Sequence, residues 1–145
     1  MLYLQQPEGF TPDKEIVGCV IKLKGKILLL HRCDNKLEGN KWGLPGGKVD
    51  KEDADIKKAI LREVKEETGI SLDEESLFFH RTFFVSHLGF SFYYHYFNSE
   101  LKELPNLVIF ESEHKSFAWV TPEEALEMPL VLDEDFCLKE YFGIK

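Results

Sequence analysis

The segment Arg62-Glu63-Val64-Lys65-Glu66-Glu67-Thr68-Gly69-Ile70 holds the densest run of chemically useful side chains in the chain. In a helix, residues three and four apart share a face, so Glu63, Glu66 and Glu67 can address one region above it. Three like charges there repel one another and become favourable only when something positive binds. Hard carboxylate oxygens suit magnesium or manganese rather than a thiophilic metal. Arg62 is placed to pair with a glutamate and hold its rotamer, leaving two glutamates for an ion and a third to act on water. Read alone, the cluster also has a plainer meaning, because helical glutamates are commonly a solvated face. Gly46-Gly47, just upstream, marks a tight turn where bare backbone carbonyls can approach an ion.

The elements that must position these groups follow from periodicity. Ile16 to Leu23 reads as a strand, Lys24-Gly25-Lys26 as a tight turn and Ile27 to Leu30 as the second arm of a hairpin. Arg32 to Lys41 is polar and reads as a loop. Trp42-Gly43-Leu44 is a short apolar run that Pro45-Gly46-Gly47 must break. In Ile56 to Glu67, the apolar residues Ile56, Ala59, Ile60 and Val64 fall on one helical face, and Gly69 suits a left-handed C-cap. Leu77 to Val85 and Phe90 to Phe97 are aromatic-rich strands joined at residues 86–89. Phe117 to Val120 is a last strand. Thr121-Pro122-Glu123-Glu124 is a helix start, with threonine as cap, proline first and glutamate third. Asp133 begins a second such segment, ending near Phe142. This order predicts an α/β chain with a mixed sheet covered by helices.

Gly47 through Ile70 resembles the Nudix box. The family pattern is glycine, five residues, glutamate, seven residues, arginine-glutamate, an aliphatic residue, any residue, glutamate-glutamate, any residue, glycine and an aliphatic residue. Arg62, Glu63, Val64, Glu66, Glu67, Gly69 and Ile70 match in register, and Trp42-Gly43-Leu44-Pro45-Gly46-Gly47 is similar to the family's approach to the box. The resemblance implies a Nudix α/β/α sandwich over nearly the whole chain. It implies a metal-dependent, MutT-like pyrophosphohydrolase that splits a nucleoside diphosphate linked to another group, with no covalent enzyme intermediate.

The same resemblance implies site residues. Glu66 and Glu67 are expected as metal ligands, Glu63 as ligand, base or water-orienting group, and the Gly46 carbonyl as a further ligand, with Gly47 as the box glycine. Glu113, six residues before Trp119, is similar to the distal glutamate some members bring to the metals, and Glu111 is its rival. Arg32, fifteen residues before Gly47, lies where some relatives hold a phosphate-binding arginine, and a guanidinium fork fits phosphoryl oxygens. One departure stands out. Counting back from Arg62, the first box acid falls on Ala54, but counting forward from Gly47 it falls on Asp53, so the segment is one residue longer than the pattern. Asp53 is expected to supply the acid and cap the helix start, where free N–H groups favour a carboxylate. Glu52 is its competitor, and two solvated acids are the third possibility. Phe83, Phe84, Tyr94 and Phe97 are candidates to stack on a base, each with ordinary packing as the alternative. The histidines form no local metal pattern.

The implied cofactor is magnesium, with manganese able to substitute, and the implied partner is a small nucleotide. Nucleoside triphosphates lead, including oxidised or non-standard ones. Nucleotide sugars and dinucleoside polyphosphates follow. A catalytically silent nucleotide sensor or interaction module is the rival from another class. The 145 residues suit one domain, and a net charge of -8 argues against wrapping nucleic acid, which needs a basic surface. No run of about 18 apolar residues exists, so no membrane span is expected. The first fifteen residues show no secretory pattern, and Cys19, Cys33 and Cys137 are scattered, so free thiols in a reducing cytoplasm are expected.

Overall fold

The central strand is β2 (Lys14–Leu23), because its residues are apolar on both faces. Val17, Cys19 and Ile21 enter one buried cluster with Ala59, Ile60 and Val64, while Val20 enters a second with Cys137 and Leu138. Alternate residues of one strand thus face helices on opposite sides of the sheet. Full burial of each such aliphatic side chain contributes roughly 1.5–3 kcal/mol.

These features come from a computed structural model that describes residues 1–87 and 89–145. The other strands are β1 (Leu2–Tyr3), β3 (Lys26–Arg32), β4 (Trp42–Gly43), β5 (Gly46–Lys48), β6 (Leu77–His87), β7 (Phe90–Glu100) and β8 (His114–Val120). The helices are α1 (Ile56–Thr68), α2 (Pro122–Ala125) and α3 (Glu134–Phe142), with a 3-10 turn at Glu74–Ser76. The expected 86–89 connector includes Leu88, which lies outside the described residues. Among the described residues, no helix is long and apolar enough to cross a membrane.

The sheet is mixed. Its path is β1-β6-β7-β2-β3-β4, with β5 on β2 and β8 on β3. The β2–β7 pair is parallel, and the other strand pairs are antiparallel. Lys24 (φ 50°) and Gly25 (φ 82°) turn the β2–β3 hairpin in the left-handed region that two-residue hairpins need. The two arms pair only beside this turn, at Lys22–Ile27 and Leu23–Lys26, and then diverge. Into the fork go β4, on Leu30 and His31, and β5, on Ile16 to Gly18. This fork carries the site.

Three details differ from the sequence reading. Gly46-Gly47 does break the Trp42 strand, but it continues as β5, because β2 supplies backbone partners that need no side-chain signal. The strands are longer than their apolar runs, with β8 starting at His114 rather than Phe117, since paired polar residues extend them. Thr121 forms the expected capping box with Glu124. Asp133, however, precedes α3 at φ 66° with no side-chain cap. Its carboxylate instead lies 3.0 Å from the His87 imidazole.

Candidate active site

Helix α1 presents its acids because its other face is anchored. Ala59, Ile60 and Val64 are fully buried against the sheet. At the C-terminus Gly69 adopts φ 78°, and its N–H donates to the Lys65 carbonyl. At the N-terminus the cap is Asp55, whose Oδ1 accepts the Lys58 N–H at 2.8 Å. Asp53 is therefore not the helix cap. It takes the Arg62 fork instead, with Nε donating to Oδ1 at 3.0 Å and Nη2 to Oδ2 at 2.9 Å. The Asp50 N–H adds 2.8 Å support to Oδ2. The residue inserted into the box is absorbed before the helix, so Asp55 caps while Asp53, nine residues from Arg62, reaches it from the loop.

Arg62 is the hub of the cluster. It also donates to Glu63 Oε1 at 3.0 Å, Glu66 Oε2 at 3.3 Å and the Lys48 carbonyl at 3.1 Å. The hydrogen bonds from Arg62 hold the Asp53 carboxyl below the usual range, and Asp53 in turn raises the guanidinium pKa. Such a bidentate pair fixes orientation as well as charge.

The three box glutamates differ. Glu66 is 59% exposed. The Glu63 side chain is 14% exposed, and burial pushes its carboxyl upward against the pull of Arg62. Glu67 is the most buried, and burial pushes it up to about 8, even though its Oε1 accepts the Gly46 N–H at 2.8 Å. A β-carbon on Gly47 would stand 2.5 Å from the Glu63 carboxylate, so any larger residue there would push that carboxylate out of its present position.

These groups line one cavity of about 660 Å³ with Arg32, Gly46, Gly47, Phe110 and Glu113. Glu113, and not Glu111, reaches it. Among the described residues, no three His, Cys, Asp or Glu side chains are drawn into a ready-made metal cage. The reason is visible in the bonding: Arg62 pulls Glu63 and Glu66 toward itself, and Gly46 holds Glu67.

Arg32, Gly46 and Gly47 also line an adjoining cavity of about 260 Å³, so the two spaces share a wall. Phe92, Tyr94 and Glu134 line it as well. Glu134 is 2% exposed and accepts the Tyr94 hydroxyl at 2.7 Å and the Tyr96 hydroxyl at 2.8 Å. Burial pushes its carboxyl up to about 7. His114 also lines this space, its Nδ1 buried without a hydrogen-bond partner and its pKa lowered by burial to about 4. Of the candidate stacking aromatics, only Tyr94 lines the cavity. Phe83 and Phe97 are core residues, and Phe84 packs edge-on against Phe10 and Tyr93. Glu134 and His114 escaped the sequence reading. The only local hint was Tyr94 and Tyr96, two apart and so on one face of a strand.

Known proteins agree with this geometry. The family model described as NUDIX domain matches residues 12–140. The CTP pyrophosphohydrolase of Escherichia coli (strain K12) is 30% identical over 134 residues, covering 90% of this chain and 93% of that one. The solution structure of the E. coli ORF135 protein is similar at TM-score 0.75 and 27% identity, covering 96% of this chain and 95% of that one. The MutT NUDIX hydrolase from Burkholderia pseudomallei is similar at TM-score 0.73 and 25% identity, covering 87% and 95%.

With that family match, a mixed sheet between helices with a box of acids over its fork is the framework of a hydrolase of phosphoanhydride bonds. The chain belongs to the Nudix family, and its activity is that of a pyrophosphohydrolase on a nucleotide.

Proposed function

We propose that the substrate is a nucleoside triphosphate, hydrolysed with magnesium or manganese bound by Glu66, Glu67, Glu113 and the Gly46 carbonyl, with Glu63 beside them. The carrying observation is the pair of adjoining cavities. One is lined by four glutamates, and the other, which shares Arg32 with it, is lined also by Phe92, Tyr94 and Glu134. A phosphate chain fits the first and a nucleoside the second. The CTP-cleaving relative supports the triphosphate reading and makes CTP the first substrate to try.

The residues present fit a hard divalent cation. All the side-chain donors are oxygens, and burial holds Glu67 uncharged up to about 8 until positive charge arrives. Once bound, the cation neutralises phosphoryl charge and acidifies water. The chain's own residues do the rest. Arg62 occupies Glu63 Oε1, which leaves Oε2 to take a proton from the attacking water. The water oxygen bonds to phosphorus, the anhydride P–O bond breaks, and the leaving group, pyrophosphate or nucleoside monophosphate according to the phosphorus attacked, carries away the electron pair. Arg32 holds the phosphate chain at the wall between the cavities, and Asp53 positions Glu63 through Arg62.

The free thiols of Cys19, Cys33 and Cys137 support a reducing, cytoplasmic setting. The test is a panel of nucleoside triphosphates, nucleotide sugars and dinucleoside polyphosphates with magnesium, with products resolved by mass. A nucleoside triphosphate should be cleaved fastest. Preferential cleavage of another class would replace the substrate assignment, and retained ligand without product would favour a sensor.

A further inference from the structure

Lys36 lies in the loop between β3 and β4, and its ammonium stands 3.4 Å from Glu113 Oε1. The pair is half-exposed, at 33% for the lysine side chain and 44% for the glutamate. Exposed pairs of this kind hold weakly, roughly 0.2–1 kcal/mol, so the contact is easily exchanged. The loop, by contrast, is pinned to the segment that carries Glu113. The Cys33 N–H donates to the Glu113 carbonyl at 3.0 Å, and Cys33 Sγ to the Glu111 carbonyl at 3.3 Å. The Lys36 N–H closes a turn onto the Cys33 carbonyl at 3.2 Å, and Arg32 Nε donates to the Leu37 carbonyl at 2.8 Å. The lysine head can change partner, but its backbone stays in the loop pinned beside Glu113, the half-exposed glutamate at the rim of the cavity.

The charges around that cavity change when it is loaded. Four glutamates and Arg32 line it. A cation that takes the Glu113 carboxylate displaces the ammonium from that partner. The phosphate chain arriving with the cation brings several negative oxygens to the same rim. Arg32 has already committed its Nε–H to Leu37, so only the guanidinium end groups remain for phosphate. A lysine on a flexible stem, released beside this anion, adds a second positive charge to that of Arg32.

We propose that Lys36 is a substrate-phosphate-binding residue that the unloaded protein stores on Glu113 and releases when a cation claims that carboxylate. The inference rests on the reading of Glu113 as a cation ligand. It assigns the loop a direct part in substrate capture.

Two binding measurements test it without turnover. Manganese alone is titrated by electron paramagnetic resonance. Magnesium imidodiphosphate, a base-free analogue whose bridge resists hydrolysis, is titrated by calorimetry. Removing the competing ammonium in Lys36→Gln should tighten manganese binding about twofold to fivefold. The same variant should bind imidodiphosphate about fivefold to tenfold more weakly, having lost a charge-assisted contact. Lys36→Arg should restore most of the phosphate affinity. Tighter manganese with unchanged imidodiphosphate would make Lys36 a mere counterion of Glu113 and overturn the proposal. Weaker manganese would make it a prop for Glu113 and would overturn the proposal equally. If the opposed shifts appear while the wild type cleaves no nucleotide, the hydrolytic assignment fails and the role of Lys36 stands.

Discussion

Glu134→Gln should remove a pH dependence of stability that the wild type carries. Glu134 opens α3, is almost fully buried and sits under two tyrosine hydroxyls. Burial raises its carboxyl from 4.5 to about 7, outweighing the two hydrogen bonds that favour its charge. Between these values the unfolded chain has released the proton while the folded chain still holds it. Stability therefore falls as pH rises through this window. The contribution is fully present below pH 4.5 and fully lost above about 7. At about 1.4 kcal/mol per pH unit, the difference across the window is about 3 kcal/mol. Glutamine has the same shape and does not titrate. Urea unfolding of both proteins at steps from about pH 4.5 to 7.5 gives their stability difference with other groups cancelled, Glu67 among them. That difference should drift by about 3 kcal/mol in favour of the variant as pH rises. A difference that stays flat would refute the buried, raised-pKa account of Glu134.

Other outcomes follow from the site. Arg32→Ala should raise KM about tenfold or more for triphosphates, with far-UV dichroism unchanged, because a charge-assisted phosphate contact is lost. An unchanged KM would remove Arg32 from the phosphate site. Glu66→Gln should weaken manganese binding without lowering Tm, since the side chain is 59% exposed; a normal metal titration would take it out of the ligand set. Asp55→Ala should cost about 1 kcal/mol as a lost cap, with turnover per folded molecule retained. Asp53→Asn should instead lower kcat, because it loosens the Arg62 fork. Equal kinetic defects in the two variants would contradict the division of labour between cap and clamp.

The sequence and the structure agree where the determinants are local. The Arg62–Ile70 pattern, the Gly69 cap and the Thr121 capping box each depend on residues within one or two turns, and all are found as read. The box acids could be assigned to one helical face because helix geometry has a fixed period. Counting from Gly47 singled out Asp53, but its partner was not legible, because the clamp to Arg62 depends on the path of a loop. Strand β5 was hidden for a related reason: its glycines carry no side-chain signal, and its pairing is imposed by β2. Glu134 under Tyr94 and Tyr96, and Lys36 on Glu113, join residues 38 to 77 positions apart. Such meetings are products of strand order, which no local pattern specifies. Phe83 and Phe97 show the converse limit, since an aromatic on a strand reads alike whether it faces core or ligand.

The proposed function gives the carboxylate cavity over the sheet fork a divalent-cation requirement for cleaving a phosphoanhydride bond. Its most direct test is CTP turnover by metal-stripped protein, measured by product mass in chelator and again after magnesium is restored. Turnover should vanish in chelator and return with magnesium or manganese. Full turnover in chelator would contradict the claim, whatever the substrate proves to be.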